Sequence, residues 1–290
     1  MNRTRTLFSG PSVKVMRFDH PEHCVHKDEG PEVTQAFDVS MVEKGEFDLL
    51  ERRQRWHFRP FDVIVTCPGA ERTYSHAEQC PTDVCLSVVV LPEIMEEGMG
   101  RLPTRPLPRV AGGATSRFLF GRMLRALNSA DPMAIECAAF DCTLSFGADF
   151  RKSTASERGL DSHSRRIGRA CEWMVTNLAE GQSLSSVSHE VGMSAFHFAR
   201  IFRNLVGQSP HQYLMRARLA HAARQLRQGV SVTEAALISG FGNLSHFTRL
   251  FGRRFGMTPG EYSSGSSRRL TTGAESRSPA FGLPGRALTS

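Results

Sequence analysis

Nowhere in the 290 residues is there an apolar run of membrane-spanning length. The longest nearly apolar stretch is VCLSVVVL at 84–91, far short of the roughly 20 residues a spanning helix needs. The start of the chain carries Arg3 and Arg5, but Leu7-Phe8-Ser9-Gly10-Pro11 breaks the apolar run that a secretory signal requires. Cysteine is also too sparse and too irregular for a disulfide framework: seven residues, an odd number, at 24, 67, 80, 85, 137, 142 and 171. The expectation is a soluble, cytoplasmic protein without a membrane partner, whose cysteines are mostly small buried residues. Lysine is absent from 161–263, where twelve Arg stand against six Asp or Glu, a net of +6. The tail 264–290 adds +3, and 1–160 is left at −2 of the total +7. Positive charge confined to one segment is the footprint of a phosphate-binding surface.

What is present in that segment is a phrase written twice. Residues 195–213 read AFHFARIFRNLVGQSPHQY and 244–262 read LSHFTRLFGRRFGMTPGEY. At a constant offset of 49 the same residue recurs at His197/His246, Phe198/Phe247, Arg200/Arg249, Phe202/Phe251, Gly207/Gly256, Pro210/Pro259 and Tyr213/Tyr262. Ser194 and Asn243 stand where a side chain caps a helix, and Gly207 and Gly256 where the chain leaves one in the left-handed conformation. Phe198, Ile201, Phe202 and Leu205 form one stripe, as do Phe247, Leu250, Phe251 and Phe255, so both stripes face a core. The remaining positions of each helix make a basic, acid-free outward face. Upstream of each copy lies a shorter helical stretch and a glycine turn, at 184–194 and 232–243. A short helix, a turn and a longer helix with a polar face is the helix-turn-helix pattern, whose second helix enters the DNA major groove.

These residues, with the connecting stretch 210–227, Ile238-Ser239-Gly240-Phe241 and the closing Gly-x-[ST]-Pro-x-x-Tyr, resemble the DNA-binding domain of AraC/XylS-family transcriptional regulators. The resemblance covers roughly 164–263. A helix over 210–227 would be about 27 Å long at ~1.5 Å per residue. That length can hold two recognition helices about one DNA turn apart, roughly 34 Å. Base contacts are then expected from Ala195, Phe196, Ala199, Arg200, Leu244, Ser245, Thr248 and Arg249, with Arg200 and Arg249 suited to a bidentate pair on guanine. Phosphate contacts are expected from His197, Arg203, His246 and Arg253.

The first half reads differently. Alternation through Phe37, Val39 and Met41, short apolar runs at 46–50, 63–65 and 84–91, and frequent Gly and Pro predict a small barrel or sandwich. The run 59–69 followed by Tyr74 is similar to the strand-turn-strand of a cupin-like barrel, which the resemblance implies as the N-terminal partner. Metal-binding cupins set two His and a Glu close together, but after Pro68-Gly69 this chain has Glu71 and Arg72. No resident metal, cofactor or catalytic residue is therefore expected. His23-Cys24-Val25-His26 could ligate a soft metal with Cys67, Cys80 or Cys85, or form a polar loop. Trp56, Phe58, Phe61 and Tyr74 would suit a small organic effector. Helices are expected at 115–129 and 132–146, either for dimerisation or for capping the barrel.

The expected architecture is an α+β two-domain chain. A cupin-like β-rich regulatory domain spans 1–110, a helical segment 111–150, a linker 151–163, an all-α double helix-turn-helix domain 164–263 and a disordered basic tail 264–290. The expected function is a sequence-specific DNA-binding transcription regulator, not an enzyme, that acts at promoters in the nucleoid. Its partners are double-stranded DNA and a small-molecule effector of unknown identity; the resemblance adds a second copy of the chain and RNA polymerase. The alternative is a cupin-type metal enzyme or a thiol-based sensor or acceptor protein fused to a DNA-binding module.

Overall fold

A computed structural model of the chain describes residues 3–20, 32–34, 36–51, 53–76, 82–91, 94, 108–146 and 157–270. The chain divides into two compact units, Met1–Met215 and Arg216–Ser290.

The first unit begins with ten described strands: β1 (Arg3–Ser9), β2 (Val13–His20), β3 (Glu32–Val33), β4 (Phe37–Gly45), β5 (Phe47–Glu51), β6 (Gln54–Phe58), β7 (Val63–Thr66), β8 (Glu71–Ser75), β9 (Asp83–Val90) and β10 (Arg109–Val110). They form a six-stranded sheet, β1-β2-β9-β4-β7-β10, and a four-stranded sheet, β3-β8-β5-β6, and every paired neighbour is antiparallel. Register follows the period-two pattern. Val39 pairs with Val88 and Val65, and Met41 with Leu86 and Val63, so one face of the large sheet is Val13, Val15, Phe37, Val39, Met41, Val63, Val65, Leu86, Val88 and Val90, all buried. The opposite face turns toward the small sheet, where Val42, Ile64 and Cys85 pack with Phe47, Leu49 and Phe58. That interior also holds polar groups. Ser40 donates to Asp38 at 2.9 Å, Ser40 and Ser87 share a short hydrogen bond, and burial pushes the Asp38 carboxyl up to about 6. At the end of β4, Gly45 has φ +80°, and a Cβ there would run into the Thr82 carbonyl, so the turn requires glycine.

Two helices follow, α1 (Ala114–Ser129) and α2 (Pro132–Phe146), close to the expected spans. Helix α2 touches β2, β4 and β9 of the large sheet and carries buried residues around nearly its whole circumference. A helix apolar all round belongs in an interior. On its other sides lie α1 and two later helices of the unit, α4 (Leu184–Glu190) and α5 (Ala195–Val206), against which the preceding helix α3 (Glu157–Thr176) also packs. Helix α6 (Pro210–Arg227) carries the chain across the division at 215/216. The second unit holds α7 (Val232–Ile238), α8 (Leu244–Phe255) and α9 (Pro259–Leu270).

The β-rich first part and the all-α double helix-turn-helix are thus as expected, while the boundaries differ. Residues 157–163, read as linker, are the opening turns of α3, because a polar stretch can be helical as readily as it can be a linker. The division falls at 215/216 instead of near 151–163, so the first helix-turn-helix belongs to the same unit as the strands and packs on α2, which in turn lies on the large sheet. The tail read as disordered from 264 is helical to Leu270. Residues 271–290 lie outside the described residues, as do 151–156 and the His23–Cys24–His26 group with Cys80.

Candidate nucleic-acid interface

The two copies of the repeat build the same helix by the same devices. In the first, the Ser183 hydroxyl accepts from the Ser186 amide at 3.0 Å to start α4, and the Ser194 hydroxyl accepts from the His197 amide at 3.4 Å to start α5. In the second, Ser231 accepts from the Glu234 amide at 3.2 Å to start α7, and Asn243 Oδ1 from the His246 amide at 2.8 Å to start α8. Helices α5 and α8 end at Gly207 and Gly256, with φ +76° and +75°. Behind each recognition helix stands one aromatic ridge. Phe198 and Phe202 meet at 5.4 Å between centroids and Phe202 meets Tyr213 at 5.6 Å. Phe247 and Phe251 meet at 5.4 Å and Phe251 meets Tyr262 at 5.3 Å. The stripe that recurs at offset 49 is therefore a duplicated hydrophobic core, not a binding face, except at Leu205, read as part of the first stripe, which lies at the end of α5 and is exposed.

On the other side the copies differ. On α8 the expected base readers Leu244, Ser245 and Arg249 are exposed and Thr248 is half-buried. Of the expected phosphate contacts, Arg253 is exposed and His246 half-buried. Leu244 keeps 45% of its surface open, a large apolar group that faces solvent. On α5 the equivalent positions are covered. Ala195, Phe196 and Ala199 are buried, and the Phe196 ring lies edge-on to Phe140 of α2 at 5.0 Å. Phe196, expected to face a base edge, is instead part of the core of the first unit, because a fully apolar side chain next to the apolar α2 gains more from burial than from water. Arg200 is half-buried and donates to His197 Nδ1 at 3.4 Å. Burial and the neighbouring Arg200 hold the His197 imidazole down at about 4, so it is neutral near pH 7. Its Nε2 lies 3.4 Å from His163 Nε2. Arg203, expected on a phosphate, donates to Asp141 of α2, whose other oxygen lies 2.6 Å from Arg122.

Two contacts that spacing did not reveal hold this cover in place. Glu136 of α2 accepts from the Leu184 amide at 3.2 Å, which satisfies a free donor at the start of α4. His211 at the start of α6 lies 3.3 Å from Asp131, just before α2. A buried Glu in an otherwise apolar helix was the visible signal for the first, since such a group is buried only with a partner.

In the sheet interior the structure brings together three of the four residues expected to meet an effector. Phe58 is in the cluster between the sheets, with Trp56 and Tyr74 packed against it. Phe61 is apart: at φ +73° it turns toward α1, edge-on to Phe120 at 6.2 Å and under the Arg117 guanidinium at 4.9 Å. Among the described residues, one group of His and carboxylate side chains has ligand atoms within 4.8 Å of one another: His20, His76 and Asp83. Sequence spacing missed it because the three come from separate strands.

Comparison with known proteins agrees with the repeat. A family model described as a helix-turn-helix domain matches residues 187–265. The chain is 33% identical over 121 residues to the HTH-type transcriptional activator RhaS of Enterobacter sp. (strain 638), covering 41% of this chain and 43% of that protein. It is 32% identical over 94 residues to the probable transcription factor PqrA of Proteus vulgaris, covering 31% of this chain and 77% of PqrA. A solved transcriptional regulator with an AraC-type DNA-binding domain, from Chromobacterium violaceum, aligns at 26% identity and TM-score 0.35, over 36% of this chain and 95% of that one. With a duplicated helix-turn-helix in register, the described caps, the matching helix-turn-helix model and the match to PqrA, the chain belongs to the AraC family of transcriptional regulators.

Proposed function

We propose that this chain is a sequence-specific, DNA-binding transcription regulator, that α8 and α5 are its readers of two successive major-groove segments, and that it acts as a homodimer on promoters in the cytoplasm, in concert with RNA polymerase. The observation that carries the reading is the exposed face of α8. Ser245 and Arg249 offer hydrogen bonds to base edges, Leu244 and Thr248 offer apolar contact to thymine methyls, and Arg253 lies a turn on for the backbone. The face has no acid, and the aromatic ridge behind it keeps the helix rigid. The covered α5 face supports regulation as well as binding: α5 can read DNA only if α2 yields it, so a ligand that favours the open arrangement shifts the equilibrium by its differential affinity.

Trp56, Phe58 and Tyr74, beside Asp38, Ser40 and Arg72, form an aromatic and polar interior suited to a small organic effector. The thiol-based alternative finds less support. Burial pushes Cys137 and Cys142 up to about 12 and also raises Cys171, which leaves little thiolate to act as nucleophile.

The test is selection of bound fragments from a genomic library by purified protein at physiological salt, with the Arg200→Ala/Arg249→Ala double variant alongside. The reading predicts a motif of two short boxes about one helical turn apart, degraded in the variant. Salt-sensitive binding with no motif would reduce the chain to a phosphate-gripping protein.

A further inference from the structure

We propose that His20, His76 and Asp83 form a binding site for a first-row divalent transition cation such as Zn2+. The site goes beyond the DNA-binding reading and does not depend on it.

The scaffold is rigid where the ligands stand. His20 ends β2 and Asp83 begins β9, and the two are direct cross-strand partners. His76 follows β8 of the other sheet, so the three donors close one end of the space between the sheets. Two imidazoles converge on a single carboxylate oxygen: His20 Nδ1 lies 2.8 Å and His76 Nε2 2.5 Å from Asp83 Oδ1. The ring centroids are 5.6 Å apart. Ligand atoms of Zn2+ sit about 2.0–2.2 Å from the ion. Opening the trio by roughly 1 Å would place all three around one.

The donor chemistry chooses the class of ion. Two imidazoles and one carboxylate suit Zn2+, Co2+, Ni2+ or Fe2+, whereas Mg2+ and Ca2+ take oxygen sets. Three protein ligands leave a fourth position. Among the described residues Cys85, two residues along β9, is a candidate for it, since its Sγ already lies 3.4 Å from Asp83 Oδ2.

The surroundings are those of a sheltered site with an entrance. Side-chain exposure is 18% for His20, 9% for His76 and 2% for Asp83, so solvent reaches the trio from the His20 side. The Phe47 ring stands 5.9 Å from His76 and stacks on Phe58 at 5.2 Å, which walls the inner side with apolar surface. A cation here would pin β2 and β9 of one sheet to the end of β8 in the other. Binding should therefore raise the stability of the folded first unit by mass action.

The experiment uses the full-length chain without a histidine tag, stripped with chelator and dialysed. Zn2+ is titrated by calorimetry and by thermal unfolding, Co2+ by visible absorption, and Mg2+ serves as the comparison ion. The expected result is about one Zn2+ per chain and a rise in Tm with Zn2+ but not with Mg2+. Affinity should fall at least roughly tenfold in both Asp83→Asn and His76→Gln and stay unchanged in the exposed-histidine control His57→Gln. Three results would each overturn the site. One is no Zn2+ bound beyond the dialysis background and no Tm shift in the wild-type chain. Another is wild-type affinity in folded Asp83→Asn or His76→Gln. The third is binding abolished by His23→Gln/His26→Gln while those two variants still bind. Because the wild-type Tm and stoichiometry are read without any substitution, a variant that fails to fold does not decide the matter.

Discussion

Arg203 of α5 donates to the Asp141 carboxylate of α2, and Arg122 of α1 holds the other oxygen of that carboxylate. A cation on the helix expected to enter the major groove is thus committed to the N-terminal half of the unit. Asp141→Asn keeps the side-chain volume and removes the charge that competes with phosphate. We expect it to raise affinity for operator DNA by about 5–10-fold, within the usual range of coupling between sites. It should also lower Tm, since Asp141 is buried and leaves two guanidinium groups without their acid. Fluorescence anisotropy against a labelled operator measures the first effect. Unchanged or weaker binding in folded protein would show that the ion pair does not restrain α5.

Arg249 and Arg253 are both exposed on α8, but they stand at different places on its face. Arg249→Ala should cost about 1–3 kcal/mol on the selected motif and relax preference at one base pair. Arg253→Ala should weaken binding evenly across sequences and reduce the salt slope by about 1. His197→Gln should leave the slope unchanged, because an imidazole held at about 4 carries no charge near pH 7. For the same reason, a pH change from about 6 to 8 should not alter affinity through His197. Binding isotherms at several salt concentrations for the three variants separate these outcomes. Equal slopes in Arg253→Ala and wild type would remove Arg253 from the phosphate contacts.

The C-terminal architecture was legible because each of its features is local. Caps at Ser194 and Asn243, left-handed exits at Gly207 and Gly256, and Phe stripes at helical spacing are all decided within one turn of helix, and all are present in the structure. The alternation through Phe37, Val39 and Met41 likewise revealed β4, with those residues buried on one face. What the sequence could not show depends on residues far apart in the chain. Ala195, Phe196 and Ala199 occupy the same helical positions as Leu244, Ser245 and Thr248, and nothing local tells that the first set is buried, with Phe196 against α2, while Leu244 and Ser245 of the second are exposed. Phe61 sits three residues after Phe58, yet a backbone at φ +73° turns it out of the aromatic cluster. His20 and Asp83 meet through sheet pairing, and His76 reaches them from the end of a strand in the other sheet.

Glu136 gives the first unit a pH dependence with a definite sign. Burial pushes its carboxyl up from 4.5 to about 7, against the opposing pull of the Leu184 amide. The folded chain therefore keeps a proton that the unfolded chain releases above about 4.5. With more protons bound in the folded state, stability falls as pH rises from about 4.5 to about 7 and is level beyond. At ~1.4 kcal/mol per unit, the loss through this one group is on the order of 3 kcal/mol in all, of which about 2 kcal/mol falls between pH 5 and 7.5. Asp38, raised to about 6 by burial, acts in the same direction over a narrower window. Glu136→Gln retains an acceptor for Leu184 and has no proton to lose. The difference between wild type and Glu136→Gln in urea unfolding, measured at pH 5 and 7.5, should change by about that amount in favour of the variant at the higher pH. A difference independent of pH would mean that water reaches the carboxylate.

The duplicated ridge predicts duplicated energetics with separate readouts. Phe202 and Phe251 are fully buried, each in contact with the preceding Phe and the following Tyr of its own copy. Removing either ring leaves a cavity of the same shape in a helix of the same design, so Phe202→Ala and Phe251→Ala should each cost about 3–5 kcal/mol. Phe202 lies in the unit that ends at Met215 and Phe251 in the one that begins at Arg216. The two losses should therefore appear in different parts of the chain. In hydrogen exchange, Phe251→Ala should lower protection of α7, α8 and α9 while β4 and β9 keep theirs, because regions with few shared contacts open independently. Phe202→Ala should lower protection of α4 and α5 and extend to α2, whose Phe140, Glu136 and Asp141 depend on that helix pair. If both variants lowered protection uniformly across the chain, the two units would unfold as one, and any regulation would have to act on the whole molecule instead of on the cover over α5.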